Sequence, residues 1–117
     1  MTNDRYFAHE RLDAYRLARE VVQFVAARQA KLRGLAGNTG PQLERAVVGA
    51  HTNLCAGASQ FGAEARRHFR IALSEAGDAG GCIDLAHDLG ALTSCEHEAI
   101  RATLLRLCAC LRGLSRS

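Results

Sequence analysis

Two pairs of an acid and a histidine have the spacing of metal ligands. Asp84 and His87 are three residues apart, and Glu64 and His68 are four apart, so each pair would share one face of a helix. Helical bundles hold two-metal sites through two Glu-x-x-His pairs and two further inward carboxylates. The two helices predicted before residue 60 offer no matching carboxylates. We therefore predict no metal and no other cofactor, and expect both histidines to pair with nearby acids at the surface.

The cysteines are the next candidates for chemistry. There are five of them, Cys55, Cys82, Cys95, Cys108 and Cys110, without the paired spacing of a zinc site or a disulfide scaffold. Cys108 and Cys110 would point about 200° apart on a helix, so they cannot chelate one ion together. We predict reduced thiols, with Cys82 and Cys108 as small apolar fillers of the core.

No motif of catalysis accompanies these residues. The sequence contains no phosphate loop, dinucleotide fingerprint, Cys-x-x-Cys pair or nucleophile elbow. We therefore predict that the protein is not an enzyme and assign no catalytic residue. Residues 1–11 contain no apolar stretch of a secretion signal, and no run approaches the roughly 20 apolar residues that cross a bilayer. We expect a cytoplasmic protein without membrane contact.

Arginine is the strongest chemical signal. Fourteen of the fifteen Lys and Arg residues are Arg, and the formal net charge is +3. Guanidinium groups bind phosphate in a bidentate manner, and phosphate neutralisation supplies much of nucleic-acid affinity. We predict a nucleic-acid-binding surface made of Arg16, Arg19, Arg66, Arg67, Arg70, Arg101, Arg106 and Arg112. The alternatives are a solvated face paired with acids such as Glu20 and Glu64, and the Arg codon preference of a GC-rich genome.

Apolar spacing indicates the elements that carry these residues. Repeats at three and four residues predict four helices, at 9–35, 41–58, 62–89 and 94–113. Thr39 with Gln42, and Thr93 with Glu96, have the spacing of capping boxes at helix starts. Four helices joined by short loops predict an all-α fold, an up-down-up-down antiparallel four-helix bundle that forms one domain over residues 1–117.

The third predicted helix keeps its apolar spacing across three glycines, although each costs about 1 kcal/mol relative to Ala. We predict that this helix is continuous and that its small residues let another backbone approach closely. The helix-packing or oligomer residues are Ala72, Ala76, Gly77, Gly80 and Gly81. The partner would be a neighbouring helix or another subunit, and a locally kinked helix is the alternative.

Three segments follow one another in an order known from other proteins: LDAYRLAREVV at 12–22, QLERAVVGAHTNLCAGA at 42–58 and RRHFRIALSEAGDAGGCIDLAHDLGAL at 66–92. They resemble the small bacterial four-helix-bundle proteins first named for open reading frames in intervening sequences of 23S rRNA genes. Accessory proteins of diversity-generating retroelements resemble the same family. The resemblance implies a homo-oligomer, often a five-membered ring, and for the retroelement relatives a basic surface that engages nucleic acid and a reverse transcriptase.

The chain departs from the family's usual stretch, which is close to Q-L-R-R-A-x-x-S-I-P-x-N-I-A-E-G. Glu44 replaces the first Arg and Ala56 replaces the Glu, whereas Arg45 and Asn53 are retained. Tyr15 corresponds to the aromatic residue of the family's first helix. The two replacements remove an acidic and a basic member from any polar network that the family builds there.

Together these observations predict a non-enzymatic, homo-oligomeric accessory or scaffold protein that binds RNA or DNA through its Arg faces. A second hypothesis is an interaction module that docks a partner protein, such as a reverse transcriptase, on an exposed helix face. A third is a carrier of a metal or small molecule in the bundle interior.

Overall fold

Helices make up all the regular structure in the computed structural model, which describes residues 5–117. The five α-helices are α1 (Asp13–Ala27), α2 (Gln29–Arg33), α3 (Thr39–Ala58), α4 (Gly62–Asp88) and α5 (Ser94–Leu114). Short 3-10 turns at Ala8–Arg11 and Ala36–Asn38 precede α1 and α3. The described part of the chain contains no strand, which confirms the predicted all-α class. Residues 1–4 of the predicted domain lie outside the described residues.

The structure divides the predicted first helix, 9–35, at Arg28. The backbone there has φ −116° and ψ 17°, and the Arg28 amide donates to the Val25 carbonyl at 3.1 Å. Its guanidinium donates to the Phe24 carbonyl at 3.1 Å, which is the group that would accept the Arg28 amide in a continuous α-helix. The Arg28 guanidinium therefore bonds the carbonyl that its own amide does not reach, and α1 ends at Ala27.

The start of α3 also differs from the prediction. The helix begins at Thr39, and the Thr39 hydroxyl donates to the Ala36 carbonyl at 2.7 Å instead of capping the amide of Gln42. Gly37 and Asn38 form the turn before it, with φ 68° and 67°. Gly and Asn are the residues that adopt this left-handed conformation most readily. The predicted Thr39 capping box is therefore wrong, because the chain turns one residue earlier.

The predicted capping box at the start of α5 is confirmed. The Glu96 amide donates to Thr93 Oγ1 at 3.1 Å, and the Thr93 amide donates to Glu96 Oε1 at 2.9 Å. These two bonds satisfy amides that no carbonyl of the helix can reach. The cap is local, since both partners lie within four residues of each other.

Helix α4 runs without interruption through Gly77, Gly80 and Gly81, as predicted. Its buried face consists of Ala65, Phe69, Ala72, Ala76, Ala79, Ile83 and Ala86. Five of these seven residues are alanines, so α3 and α5 can pack closely on α4. The facing seam of α5 is made of buried Ile100, Leu104, Leu107 and Leu111.

Each long helix packs against two others: α1 and α4 both contact α3 and α5. At one end of the molecule Arg66, near the start of α4, donates to the Ser117 carbonyl beyond α5 at 3.3 Å. At the same end the Tyr15 ring of α1 lies 5.6 Å from the His51 ring of α3. Residues 59–61 join the end of α3 to the start of α4. This end therefore contains the starts of α1 and α4 and the ends of α3 and α5.

The opposite end contains the end of α1, the end of α4 and the start of α5. Arg28 Nε lies 2.6 Å from Glu96 Oε2, and His97 Nε2 lies 2.7 Å from Asp84 Oδ1. The molecule is elongated, with principal extents of 50 × 26 × 21 Å. Among residues 5–117, no helix combines the length and the apolar character needed to cross a membrane.

Candidate nucleic-acid interface

One end of this elongated molecule concentrates arginines. We call it the basic end, and its arginines are Arg11, Arg16, Arg66, Arg67, Arg70, Arg112 and Arg116. The carboxylates at the same end are Glu10, Asp13 and Glu64. Five of the eight predicted nucleic-acid residues belong to this end, whereas Arg19 lies one turn further along α1, and Arg101 and Arg106 lie further along α5. The fold therefore joins arginines of three helices that are far apart in sequence.

Two of the eight predicted arginines form ion pairs with described residues. Arg16 Nη1 lies 3.4 Å from Glu20 Oε1, and Arg67 Nε lies 3.5 Å from Glu64 Oε1. All four side chains are exposed, and exposed pairs of this kind contribute about 0–1 kcal/mol. A phosphate could therefore displace either carboxylate at little cost in free energy.

Most of the other predicted arginines lack an acidic partner. Arg70, Arg101, Arg106 and Arg112 are exposed and form no ion pair within residues 5–117. Within the described residues, Arg66 makes one polar contact, with the carbonyl oxygen of Ser117. These guanidinium groups keep their donors directed to solvent, where an anion can reach them.

The cations of the opposite end are paired instead. Glu96 accepts Arg28 Nε at 2.6 Å, and Lys31 Nζ lies 3.8 Å from the same carboxylate. Arg33 Nε lies 3.9 Å from Glu44 Oε1. Glu44 therefore faces a cation of α2. The two ends of the molecule thus differ in free positive charge.

Glu96 has the largest pKa shift at that opposite end. The hydrogen bond from the Thr93 amide, followed by the one from the Arg28 side chain, lowers the pKa of the Glu96 carboxyl from 4.5 to about 2. Donors that bond to the charged form of an acid favour that form. The carboxylate is therefore charged at neutral pH and neutralises its cationic neighbours.

Both histidines predicted to pair with nearby acids do so. His87 Nδ1 lies 3.8 Å from Asp88 Oδ1. Asp84 bonds His97 instead of His87, whose ring stacks on the His97 ring at 4.3 Å between centroids. His68 Nε2 lies 4.0 Å from Glu64 Oε2, the partner predicted for it. Within residues 5–117, no group of three or more His, Cys, Asp or Glu side chains could hold a metal ion.

The five cysteines are free thiols. Cys82 and Cys108 pack against the core, as predicted for apolar fillers. Burial raises the pKa of the Cys55, Cys82 and Cys108 thiols, so these three are poor nucleophiles at neutral pH. Cys95 is the exposed thiol of the five.

The predicted small-residue strip is divided between two faces of α4. Ala72 and Ala76 are buried in the core, whereas Gly77 and Gly81 are exposed. A Cβ atom added to Gly77, Gly80 or Gly81 would meet no atom within 4 Å. No neighbouring helix of the described chain therefore lies close against these glycines.

Two grooves flank the exposed glycines. The groove between α3 and α4 has a volume of about 500 Å³, and the groove between α4 and α5 has about 240 Å³; Gly77 and Gly81 line both. Leu85 lines the first groove and is 45% exposed, and Leu105 lines the second and is 56% exposed. This part of the surface combines apolar side chains with bare backbone. We call it the glycine face.

The basic end also exposes aromatic rings that the arginine pattern does not reveal. Phe7 is 70% exposed and Phe61 is 92% exposed, and Tyr6 beside Phe7 is exposed as well. The sequence signal for them is the run RYF at residues 5–7, where aromatic residues directly follow an arginine. Phe61 reaches the same end through the loop between α3 and α4.

Comparison with known proteins does not assign a function to this arrangement. No family model matches the chain, and no curated protein matches it in sequence. The class of protein that the fold defines is a small all-helical protein with one basic end. The surface residues are therefore the basis for a functional assignment.

Proposed function

We propose that this chain is a non-enzymatic, cytoplasmic, homo-oligomeric accessory protein that binds the phosphate backbone of RNA or DNA through its basic end. The observation that carries the proposal is the contrast in pairing: Arg70 and Arg112 are exposed without an ion pair in the described chain, whereas Arg28 is paired with Glu96. Unpaired guanidinium groups can bind phosphates and release the counterions that surround them. The resemblance to accessory proteins of diversity-generating retroelements, which implies a basic surface that engages nucleic acid, supports the same activity.

The proposal includes the arrangement of the helices as an up-down-up-down bundle. The loops between α3 and α4 and between α4 and α5 are short, which favours antiparallel neighbours. An end-to-start contact also supports an antiparallel arrangement of α1 and α5, because Arg28 at the end of α1 meets Glu96 at the start of α5. In this arrangement alternate helix termini deliver arginines of α1, α4 and α5 to one end.

Self-association would occur on the glycine face. Exposed glycines let a second backbone approach within van der Waals contact, which offsets their cost in helix propensity. Leu85 and Leu105 would supply apolar area on either side. The family resemblance suggests a five-membered ring, which would place several basic ends around one axis and multiply a weak attraction for a polyanion.

Binding is tested by fluorescence anisotropy with labelled RNA and DNA over a series of salt concentrations. The double variant Arg70→Gln/Arg112→Gln should bind more weakly and reduce the slope of log K against log salt by about 1.4 for a single strand or about 1.8 for a duplex. The matched control is Lys31→Gln/Arg33→Gln, which removes the same charge from the opposite end. Absence of binding at low salt, binding that is indifferent to salt, or equal losses in both double variants would contradict the proposal.

Self-association is tested by measuring mass in solution. We expect the wild-type chain to form an oligomer and Gly81→Leu to dissociate it, because the new side chain would occupy the space that a second subunit needs. Gly113→Leu is the control, since Gly113 also lies in a helix with open space at its Cβ position but outside the glycine face. A monomeric wild type would contradict self-association. A Gly81→Leu variant that keeps the same number of subunits as the wild type would contradict its placement on the glycine face.

A further inference from the structure

Four rings form a continuous row at the basic end. The Phe7 ring stacks on His9 with centroids 5.4 Å apart and planes 9° from parallel. His9 lies 4.5 Å from Tyr15, and Tyr15 lies 5.6 Å from His51. These separations fall in the range in which aromatic rings attract one another. The row therefore links the turn before α1 to α3.

The inner members of the row hold Phe7 in a defined place. Tyr15 packs against the core, and His51 is half-buried on α3. Burial, then the neighbouring His9 and Arg19, lowers the pKa of His51, so its ring is uncharged at neutral pH. A neutral imidazole can pack against Tyr15 without the cost of desolvating a charge.

Phe7 offers an open ring face at the outer end of the row. His9 covers one side of the ring, and the side chain is still 70% exposed. A partner that covers this ring face would remove apolar surface from water, which is favourable. A flat, apolar partner with its own π-system fits the free face best, and the bases of nucleic acids are such partners.

Arginines of α1 lie beside the row. The Arg19 guanidinium carbon lies 6.0 Å from the centre of the Tyr15 ring, and Arg19 has no acidic partner within residues 5–117. A cleft of about 540 Å³ beside Tyr15 is lined by Arg16 and Arg19 and by two carboxylates, Glu10 and Glu20. Glu20 is paired with Arg16. The more strongly basic surface of α4 and α5 lies at the same end of the molecule.

We propose that Phe7 stacks on an unpaired base of single-stranded RNA or DNA while the arginines of the basic end bind the adjoining phosphates. The inference rests on the proposed function and specifies its substrate class. Interior bases of a duplex are stacked on both faces, and only its two terminal pairs have a free face, so a single strand presents far more bases to a fixed ring. If the protein bound only the phosphate backbone, Phe7 would make no contact that differs between a single strand and a duplex.

The test uses the absence of tryptophan from the chain. Phe7→Trp introduces a single tryptophan at the outer end of the row. The control is Leu89→Trp, because Leu89 is 45% exposed and lies just beyond α4 at the opposite end of the molecule. Each variant is titrated at low salt with a 15-nucleotide oligo(dT), with oligo(rU) of the same length, and with a 15-base-pair duplex. We expect either single strand to quench the fluorescence of the Phe7→Trp variant and the duplex to leave it nearly unchanged. The fluorescence of the Leu89→Trp variant should respond to none of the three.

A second variant measures the energy of the contact. Phe7→Leu keeps an apolar side chain but removes the aromatic face. Its affinity for the single strand should fall by about fivefold or more, because about fivefold is the smallest effect expected when one base stack is lost. The affinity for duplex and the salt slope should stay the same. Phe7→Trp should bind the single strand at least as tightly as the wild type.

The outcomes separate this inference from the proposed function. Salt-dependent binding without quenching of Phe7→Trp, or with equal weakening of duplex and single strand in Phe7→Leu, would overturn base stacking and leave backbone binding in place. Absence of any binding by the wild type at low salt would overturn both.

Discussion

Arg28 Nε lies 2.6 Å from Glu96 Oε2 and joins the end of α1 to the first turn of α5 across 68 residues of sequence. The same guanidinium donates to the Phe24 carbonyl and lies 3.7 Å from the centre of the Phe24 ring. One half-buried side chain therefore bonds the last turn of α1, covers an aromatic ring and connects two helices. It also binds the carboxylate that caps α5, because Glu96 accepts the Thr93 amide as well.

The first prediction concerns stability in acid. The pKa of Glu96 in the folded protein, about 2, lies below its ordinary value of 4.5. The carboxylate therefore stabilises the fold fully above about pH 4.5, and this contribution is lost as the pH falls towards 2. Glu96→Gln should be less stable than the wild type at pH 7 and should lose less stability between pH 5 and 2. Urea unfolding at several pH values measures both, with exposed Glu98→Gln as the control.

The second prediction concerns the cap of α5. Thr93→Ala removes the acceptor of the Glu96 amide and should lower the free energy of unfolding by about 1 kcal/mol. Thr103→Ala is the matched control, since its hydroxyl bonds only to the Ala99 carbonyl within the helix. We expect that change to be neutral or slightly stabilising because Ala has the higher helix propensity. An equal loss of unfolding free energy in the two variants would show that the Thr93 hydroxyl does not stabilise the start of α5.

The third prediction compares two glycines. A Cβ atom on Gly57 would lie 2.7 Å from Cε1 of the buried Phe69 ring, so Gly57→Ala should destabilise the fold by about 1–3 kcal/mol through overpacking. A Cβ atom on Gly113 would meet nothing within 4 Å, so Gly113→Ala should stabilise α5 by up to about 1 kcal/mol. Thermal unfolding of both variants measures the difference. A stable Gly57→Ala variant would mean that the Phe69 ring can move aside.

The fourth prediction concerns thiol reactivity. Cys95 is exposed, whereas burial raises the pKa of the thiols of Cys55, Cys82 and Cys108. Since the thiolate is the reactive form, a thiol reagent at neutral pH should modify Cys95 first. Cys95→Ser should abolish the fastest phase and Cys82→Ser should leave it unchanged. Mass spectrometry of the labelled protein identifies the residue. A fast phase that persists in Cys95→Ser would place an accessible thiol elsewhere.

Much of the secondary structure follows from local patterns. The spacing of Leu104, Leu107 and Leu111 predicts the buried seam of α5, and the pair Thr93 and Glu96 predicts its start. The continuity of α4 through its glycines follows from the unbroken phase of its apolar residues. In each case the interacting residues lie within one or two turns of each other. Patterns of this range can be recognised without knowing how the helices pack.

The features that the sequence could not specify depend on contacts between distant segments. Arg28 interrupts the first helix while its side chain bonds Glu96, 68 residues further on. Thr39 failed as a cap because left-handed Gly37 and Asn38 direct its hydroxyl to Ala36. The small residues of α4 separate into buried alanines and exposed glycines because α3 and α5 pack on one side of that helix.

The amino-acid sequence by itself determined the helical class, the caps and seams that are local, and the excess of arginine over lysine. Tertiary structure decided which arginines share one end, which are neutralised by carboxylates, and that the rings of Phe7, His9, Tyr15 and His51 form one row. The physical reason is distance: periodicity reports neighbours along a helix, whereas ion pairs and ring stacks act over a few ångströms in space. Only the packing of α1, α3, α4 and α5 brings residues from distant segments within that range.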